Sequence, residues 1–398
     1  MPQRLSLRPL LLLFLGPLLQ NAIVMTWLNL MTFKSTTAGY QPNLLCYIGI
    51  CQAFGYTVSS NIAGRWVTVA RANWLFAGAV IGTALIGLAI DLLPPIAPYM
   101  ILSVIFGLCN GQYFVPFQVG MSSVKPFRTL AWTIAFYNVS WGTGLAIGPF
   151  LAGSLKGAST TTFIVLATGL AAVHTILVLL AASAKRTDVP TGDANAPGTP
   201  LEQPVPLFYS TRRLRTLGYM CSFVGQFLLA ALSISLWPPL ARDRGLSPFQ
   251  MGLGLAIMGI QIPIGAIVFG SLRRFVNRPW MLLTLLLLGA TMFQMLPLVA
   301  WPWHLVVLGL VGFACSGLFF HGVYYPNADP ETPHRSVGIM ETCVGIAGVI
   351  GPLLLGNLAG NDATQHWPYL VGSVIIGGII LIALRVWFNG EAAAPAPA

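Results

Sequence analysis

Glu341 is the one charged side chain set well inside an apolar stretch of this sequence. It stands six residues past Arg335, about 9 Å further along if the stretch is helical. An ionisable group in such a place must face a cavity, a partner or water, and it marks a candidate functional site. His321, eight residues before Asp329, is set at a similar depth in the preceding stretch. Glu341 and His321 could form a titratable pair that binds substrate or a coupling proton. The alternative is a structural pair, or Glu341 meeting a loop arginine. Other apolar stretches carry uncharged polar groups: Gln20 and Asn21, then Asn110, Gln112 and Tyr113, then Asn138, Gln226 and Tyr324. Amides, hydroxyls and rings of this kind can hold a small-molecule substrate without breaking a bond in it. Bond-breaking chemistry has no motif here. There is no phosphate-binding Gly-rich loop, no Gly-x-Ser-x-Gly elbow and no His-Glu-x-x-His. The six cysteines lack metal-ligand spacing and read as packing residues. The expectation is no enzyme, no catalytic residue, no metal and no cofactor. Any transport must be passive or driven by an ion gradient.

The elements that position these residues follow from composition. The 398 residues are 56% hydrophobic and only 8% charged, with mean hydropathy +0.77. Soluble domains carry about 25% charged residues. The apolar runs are long and continuous, which fits spanning helices of about 20 residues and not the alternating strands of a barrel. Twelve spans are expected: 9–33, 42–63, 73–94, 97–122, 129–153, 161–184, 214–239, 248–270, 279–300, 302–326, 335–358 and 367–388. The net charge of +10 does not point to nucleic acid, because the basic residues sit singly or in pairs beside the spans. Of the 20 Lys and Arg, only Lys34, Lys156, Arg242 and Arg244 fall on one side of this topology. The positive-inside rule then puts both termini in the cytoplasm. Trp303 and Trp367 stand at outer boundaries, as an aromatic belt would.

Residues 185–213 break the pattern with prolines and acids and read as a flexible cytoplasmic linker. They separate an N-terminal bundle, 1–184, from a C-terminal bundle, 214–390, with a disordered tail at 391–398. The two bundles repeat each other. An offset of 206 maps Gln20 onto Gln226, Gly39 onto Gly245, Pro42 onto Pro248 and Gly111 onto Gly317. An offset of 203 then maps Gly142, Gly148, Pro149 and Gly153 onto Gly345, Gly351, Pro352 and Gly356. A parallel six-plus-six repeat is a known transporter plan.

These residues carry a resemblance to the major facilitator superfamily. Gly144-x-x-x-Gly148-Pro149-x-x-x-Gly153 resembles that family's fifth-span motif, with a copy at Gly351-Pro352. The run from Gly270 through Arg273, Arg274 and Arg278 resembles its basic loop between spans eight and nine. That loop's usual Asp is missing, and Gly107 stands where the fourth span often has Arg. The resemblance implies an all-α integral membrane fold, twelve helices in two pseudo-symmetric six-helix bundles, working by alternating access. It implies a gating or interface role for Gly148, Pro149, Gly351, Pro352, Arg273, Arg274 and Arg278, and a central cavity lined by spans one, four, seven and ten. Gln20 and Gln226 would then face each other across the pseudo-two-fold axis. Apart from Arg215 at the inner end of span seven, no Lys or Arg lies in those four spans, which suits a neutral polar or weakly cationic organic solute better than an anion. Export of drug-like amphiphiles, or a non-transporting sensor or partner subunit, are the alternatives. The expected partners are a small-molecule substrate, a coupling proton or cation and the lipid bilayer. A monomer in a bacterial inner membrane is the expected form.

Overall fold

The computed structural model describes residues 7–66, 69–90, 92–124, 130–155, 162, 165–166, 169, 172–173, 176, 211–272, 278–328, 333–360 and 362–388. Among them every long element is a helix. The first half holds α1 (Leu7–Thr37), α2 (Pro42–Trp66), α3 (Val69–Ile90), α4 (Ala97–Val124) and α5 (Leu130–Leu155). The second begins with α6 (Thr211–Ala230), a π-helical segment (Ala231–Leu236) and α7 (Trp237–Asp243), which together make one span. It continues with α8 (Pro248–Ser271), α9 (Pro279–Met295), α10 (Trp303–Asn327), α11 (Pro333–Ala359) and α12 (Trp367–Phe388). The expected span at 161–184 lies largely outside the described residues, as do the linker up to residue 210 and the tail from 389.

Helices are what apolar sequence must form in lipid, because each backbone N–H and C=O then finds its partner within the segment. Eight of the described helices have the length and apolarity to cross a membrane. α2 and α5 fall short on composition, being rich in Gly, Ser, Asn and Tyr. Their position explains this: α2 packs along α11 and α5 along α8, so both lie between the halves and not against lipid alone.

The repeat is visible in the turns. Gly39 and Gly245 are both left-handed, with φ of 90° and 72°. Each ends its helix with a 6→1 bond, Tyr40 N–H to Ser35 O at 3.2 Å and Leu246 N–H to Ala241 O at 2.8 Å. Pro42 and Pro248 then open the next helices. The second copy adds a capping box between Ser247 and Gln250. These turns lie on the far face of the molecule, opposite the face where α1 begins and α12 ends. Trp303 and Trp367 are exposed on that far face, each 65% accessible.

The repeat also governs close packing. A Cβ on Gly148 would stand 2.8 Å from Thr26 N on α1, and one on Gly351 2.9 Å from Phe227 O on α6. Both glycines therefore seat the helix on its own half. Gly142 and Gly153 meet α8 instead, and their counterparts Gly345 and Gly356 meet α2. One motif thus packs one face inside the half and the other across the divide.

The π segment breaks the symmetry, since the matching part of α1 is ordinary α-helix. Pro238 and Pro239 have no N–H to give Ile234 and Ser235, so the α-helical ladder fails there. Trp237 N–H bonds to Leu232 O, five residues back.

Candidate functional site

A cavity of about 130 Å³ lies between the halves, room for roughly four water molecules. It is walled by α1, α2, α4 and α5 from one half and by α6, the π segment, α10 and α11 from the other. Helical periodicity selects the wall. Residues 21, 25 and 28 of α1, 110 and 114 of α4, and 137, 141 and 145 of α5 recur every three or four positions. Five aromatic rings, Tyr56, Phe114, Tyr137, Trp141 and Phe319, stand on the wall among aliphatic side chains. Trp141 of α5 meets Phe319 of α10 edge to face, centroids 5.2 Å apart, so the halves touch through rings.

Glu341 is the one charged residue on that wall and is 5% exposed. The Tyr56 hydroxyl donates to its Oε2 at 2.5 Å. Tyr56 belongs to α2 and Glu341 to α11, so this bond ties one half to the other. Asn21 donates from Nδ2 to Trp141 O at 2.7 Å, and Trp141 Nε1 donates to Asn138 Oδ1 at 2.9 Å. Asn110 borders the cavity with its Oδ1 buried and lacking a donor.

On the far face the cavity is capped by a contact between the first and second halves. Arg242 of α7 donates from Nη1 to Thr36 O and Tyr40 O, both at 3.3 Å. Its other nitrogens hold Asp243, Nη2 to Oδ1 at 2.8 Å. Arg242 is the repeat equivalent of Thr36, one of the two residues whose carbonyls it grips.

Of the residues picked out by type and depth, Asn21, Asn110, Gln226 and Glu341 border the cavity. Gln20 does not: it turns to α3, where its Nε2 donates to Thr83 Oγ1 at 3.3 Å. Its repeat partner Gln226 does face the cavity, so the lining pair is Asn21 with Gln226, not Gln20 with Gln226. His321 is off the wall as well. Phe319 and Val323 define the cavity face of α10, and His321, two residues from each, is turned about 200° away. It is fully buried among Phe269, Phe320 and Tyr325, with Nδ1 2.6 Å from Gly317 O. The cavity thus brings Glu341 together with Tyr56 and leaves His321 behind the wall. Asn138 supports Trp141 from behind, Tyr113 reaches toward Gly16, Tyr324 stacks on Phe320, and Gln112 is half-buried off the wall. Arg278 precedes α9 and is exposed, while Arg273 and Arg274 lie outside the described residues. Type and depth missed Tyr56, Tyr137 and Trp141. Their signal was an aromatic ring with a polar tip in mid-span, away from the boundaries where such residues usually sit.

The sequence profile of the Major Facilitator Superfamily matches residues 10–328 and 215–398. The chain belongs to this superfamily. Its fold is that of the family: two six-helix bundles in a multi-pass membrane transporter. It is 26% identical over 374 residues to the enterobactin exporter EntS of Shigella flexneri, covering 90% of this chain and 85% of that protein. It is 24% identical over 276 residues to the class H tetracycline resistance protein of Pasteurella multocida, covering 66% of this chain and 67% of that one. Among solved structures, an inward-facing, unoccupied bacterial homologue of the human lysosomal transporter Spinster overlays with a TM-score of 0.69. That overlay covers 98% of this chain and 100% of the other at 14% identity, and at that level it speaks for the fold alone.

Proposed function

We propose that this superfamily member is a secondary transporter that exports a small amphipathic organic solute, neutral or weakly cationic, by alternating access. The observation that carries this reading is the cavity itself: a chamber walled by aromatic and aliphatic side chains between two pseudo-symmetric halves, with one carboxylate and no Lys or Arg on its wall. Rings suit a flat apolar body, and the amides and Glu341 suit its polar end. Bare cation-free walls disfavour phosphates and carboxylates. Export is supported by the relatives named for an enterobactin exporter and a tetracycline resistance protein. The cavity is complete within one chain, which supports a working monomer. The excess of Lys and Arg on one side of the spans supports cytoplasmic termini, and the bacterial relatives support a bacterial inner membrane. On that orientation Arg242 closes the outer side and the cavity belongs to an inward-directed state.

The test is flux in liposomes holding the full-length protein, loaded with a set of aromatic amphiphilic dyes, with and without an imposed pH gradient. Saturable dye release that Trp141→Ala weakens is the expected result. Release equal to that of protein-free liposomes for every dye and gradient would overturn the reading.

A further inference from the structure

His304 is the second residue of α10 and is 1% exposed at the far-face end of that helix. A neutral imidazole carries one donor and one acceptor. Among the described residues, neither ring nitrogen of His304 meets a hydrogen-bond partner. Buried polar groups are almost always paired, so a ring with both nitrogens unmet calls for an explanation. Its surroundings supply no acceptor. The ring is tilted against that of Trp237, with centroids 5.2 Å apart. The first N–H groups of α10 make a positive pole beside it. The Arg244 guanidinium is the charge that acts on it among the described residues.

Both neighbours belong to the element that carries the far-face cap. Trp237 opens the seven-residue helix α7 and Arg244 closes it. Trp237 is wedged in place: its Nε1 donates to Met251 O of α8 at 2.8 Å, and a Cβ on Gly254 would stand 2.6 Å from its ring. Arg244 donates from Nη2 to Pro297 O at 2.8 Å, in the turn after α9. Arg242 lies between the two in sequence and holds Thr36 O and Tyr40 O of the first half, both at 3.3 Å. His304 thus bears on both ends of the helix that grips the other half. The remaining ionisable groups of this corner are engaged elsewhere. Asp243 holds Arg242, Asp362 accepts from Thr364, and Tyr369 donates to Ala363 O. α8 and the turn Leu296–Leu298 carry no ionisable side chain.

We propose that His304 is a proton-binding site, separate from the central cavity, whose protonation lifts α7 and releases the Arg242 cap, so that acid on the far side favours the open state. The proposal rests on the alternating-access reading above and adds a control to it. The proton comes from far-side water and goes to the free lone pair of the ring, and no covalent bond breaks. The imidazolium then has two N–H donors, no acceptor, a guanidinium before it and a positive helix end beside it. Water relieves it, and water enters when α7 parts from α10. The two long bonds of Arg242 are the weakest ties of α7 and give way first. Opening hydrates His304 and takes up a proton, so lowering the pH shifts the equilibrium toward open.

The experiment uses the full-length protein without its six native cysteines, spin-labelled at Thr37 and Trp367. Both positions are exposed on the far face, one on each half. The distance between the labels is measured from pH 8 to pH 5.5, and dye release from liposomes is followed in parallel. A hydrated histidine titrates at about pH 6.5, so one proton taken up on opening should raise the ratio of long to short distances about 10-fold over this range. His304→Gln should remove the pH dependence. His304→Phe keeps a ring against Trp237 and deletes both unmet nitrogens, so it should hold the short distance at every pH. Melting temperatures reveal a misfolded variant, and either folded variant decides the point. A pH response that survives in a folded His304 variant overturns the site and assigns the proton to another group, Glu341 included. A distance that ignores pH in protein that still releases dye overturns it too, and leaves the transport reading standing. A fixed distance with no dye release overturns both.

Discussion

Gly153 is one point where the two halves meet closely toward the far face, and adding one methyl group there should open the transporter. A Cβ on Gly153 would lie 2.7 Å from Pro248 O and 3.3 Å from the Cα atoms of Phe249 and Gly252. All three are backbone atoms, so no side chain can swing aside. Reaching an ordinary contact of 3.4 Å means parting α5 from α8 by about 0.7 Å. Overpacking of this kind costs about 1–3 kcal/mol. A state with the far face open has already broken this contact, so the cost falls on the closed state. The equilibrium should then move toward the open state by roughly 5- to 150-fold. The assay is labelling of a cysteine placed at cavity residue Leu28, in a background without the six native cysteines, using an impermeant maleimide applied to the far face of intact vesicles. Gly153→Ala should raise the labelling rate several-fold or more. Gly148→Ala is the control, because its Cβ would meet Thr26 N at 2.8 Å within the same half. It should lower thermal stability by a similar amount and leave labelling alone. If both variants destabilise and neither changes labelling, the α5–α8 contact is static packing and the reasoning fails.

Other perturbations separate the remaining contacts. Arg242→Ala removes two long bonds to Thr36 O and Tyr40 O, each worth about 0.5–1.5 kcal/mol at most, and should raise Leu28→Cys labelling a few-fold; an unchanged rate would show the cap bears no load. Tyr56→Phe and Glu341→Gln, alone and together, should show a coupling of about 1.5–3 kcal/mol in thermal stability, as a charged hydrogen bond between them predicts. A coupling near zero would mean the two side chains do not act through each other. Gly39→Ala and Gly245→Ala meet open space, so their expected cost of about 1–2 kcal/mol is purely that of a left-handed backbone, and neither should alter dye release.

Much of the fold was legible because lipid leaves the chain so few choices. Long apolar runs, the break at residues 185–213 and the offset of 206 were enough to indicate two six-helix halves. The wall of the cavity was harder to read. A helix at a water boundary advertises its buried face by alternating polar and apolar residues, but a span in lipid is apolar all round. Gln20 and Asn21 look equally suited to the cavity in sequence, and only the packing of α1 on α3 and α5 decides that Asn21 faces inward. His321 and Glu341 share a depth, and depth says nothing about direction around the helix. Tyr56 and Trp141 escaped notice because rings are common in such sequences and their polar tips matter only once a partner is placed beside them.

Where symmetry holds and where it fails divides the molecule by task. The turns at Gly39 and Gly245 and the inward and outward glycines of α5 and α11 match position for position, and these are the parts that end the helices and pack them within each half and across the divide. The cavity wall does not match. Gln20 is committed to Thr83 while Gln226 faces the cavity; Asn21 faces the cavity while Phe227, its equivalent, is buried against Gly351. Asn138 supports Trp141, while Glu341, its equivalent at the offset of 203, bonds Tyr56. Two halves related by symmetry could rock about a common axis with any cargo. A cargo without symmetry needs different groups at its two ends, and a carboxylate opposed by amides and rings is that kind of difference. It follows that grafting symmetry onto the wall, by Glu341→Asn, should cost the site its discrimination among solutes while leaving the packing glycines, and the fold they hold, in place.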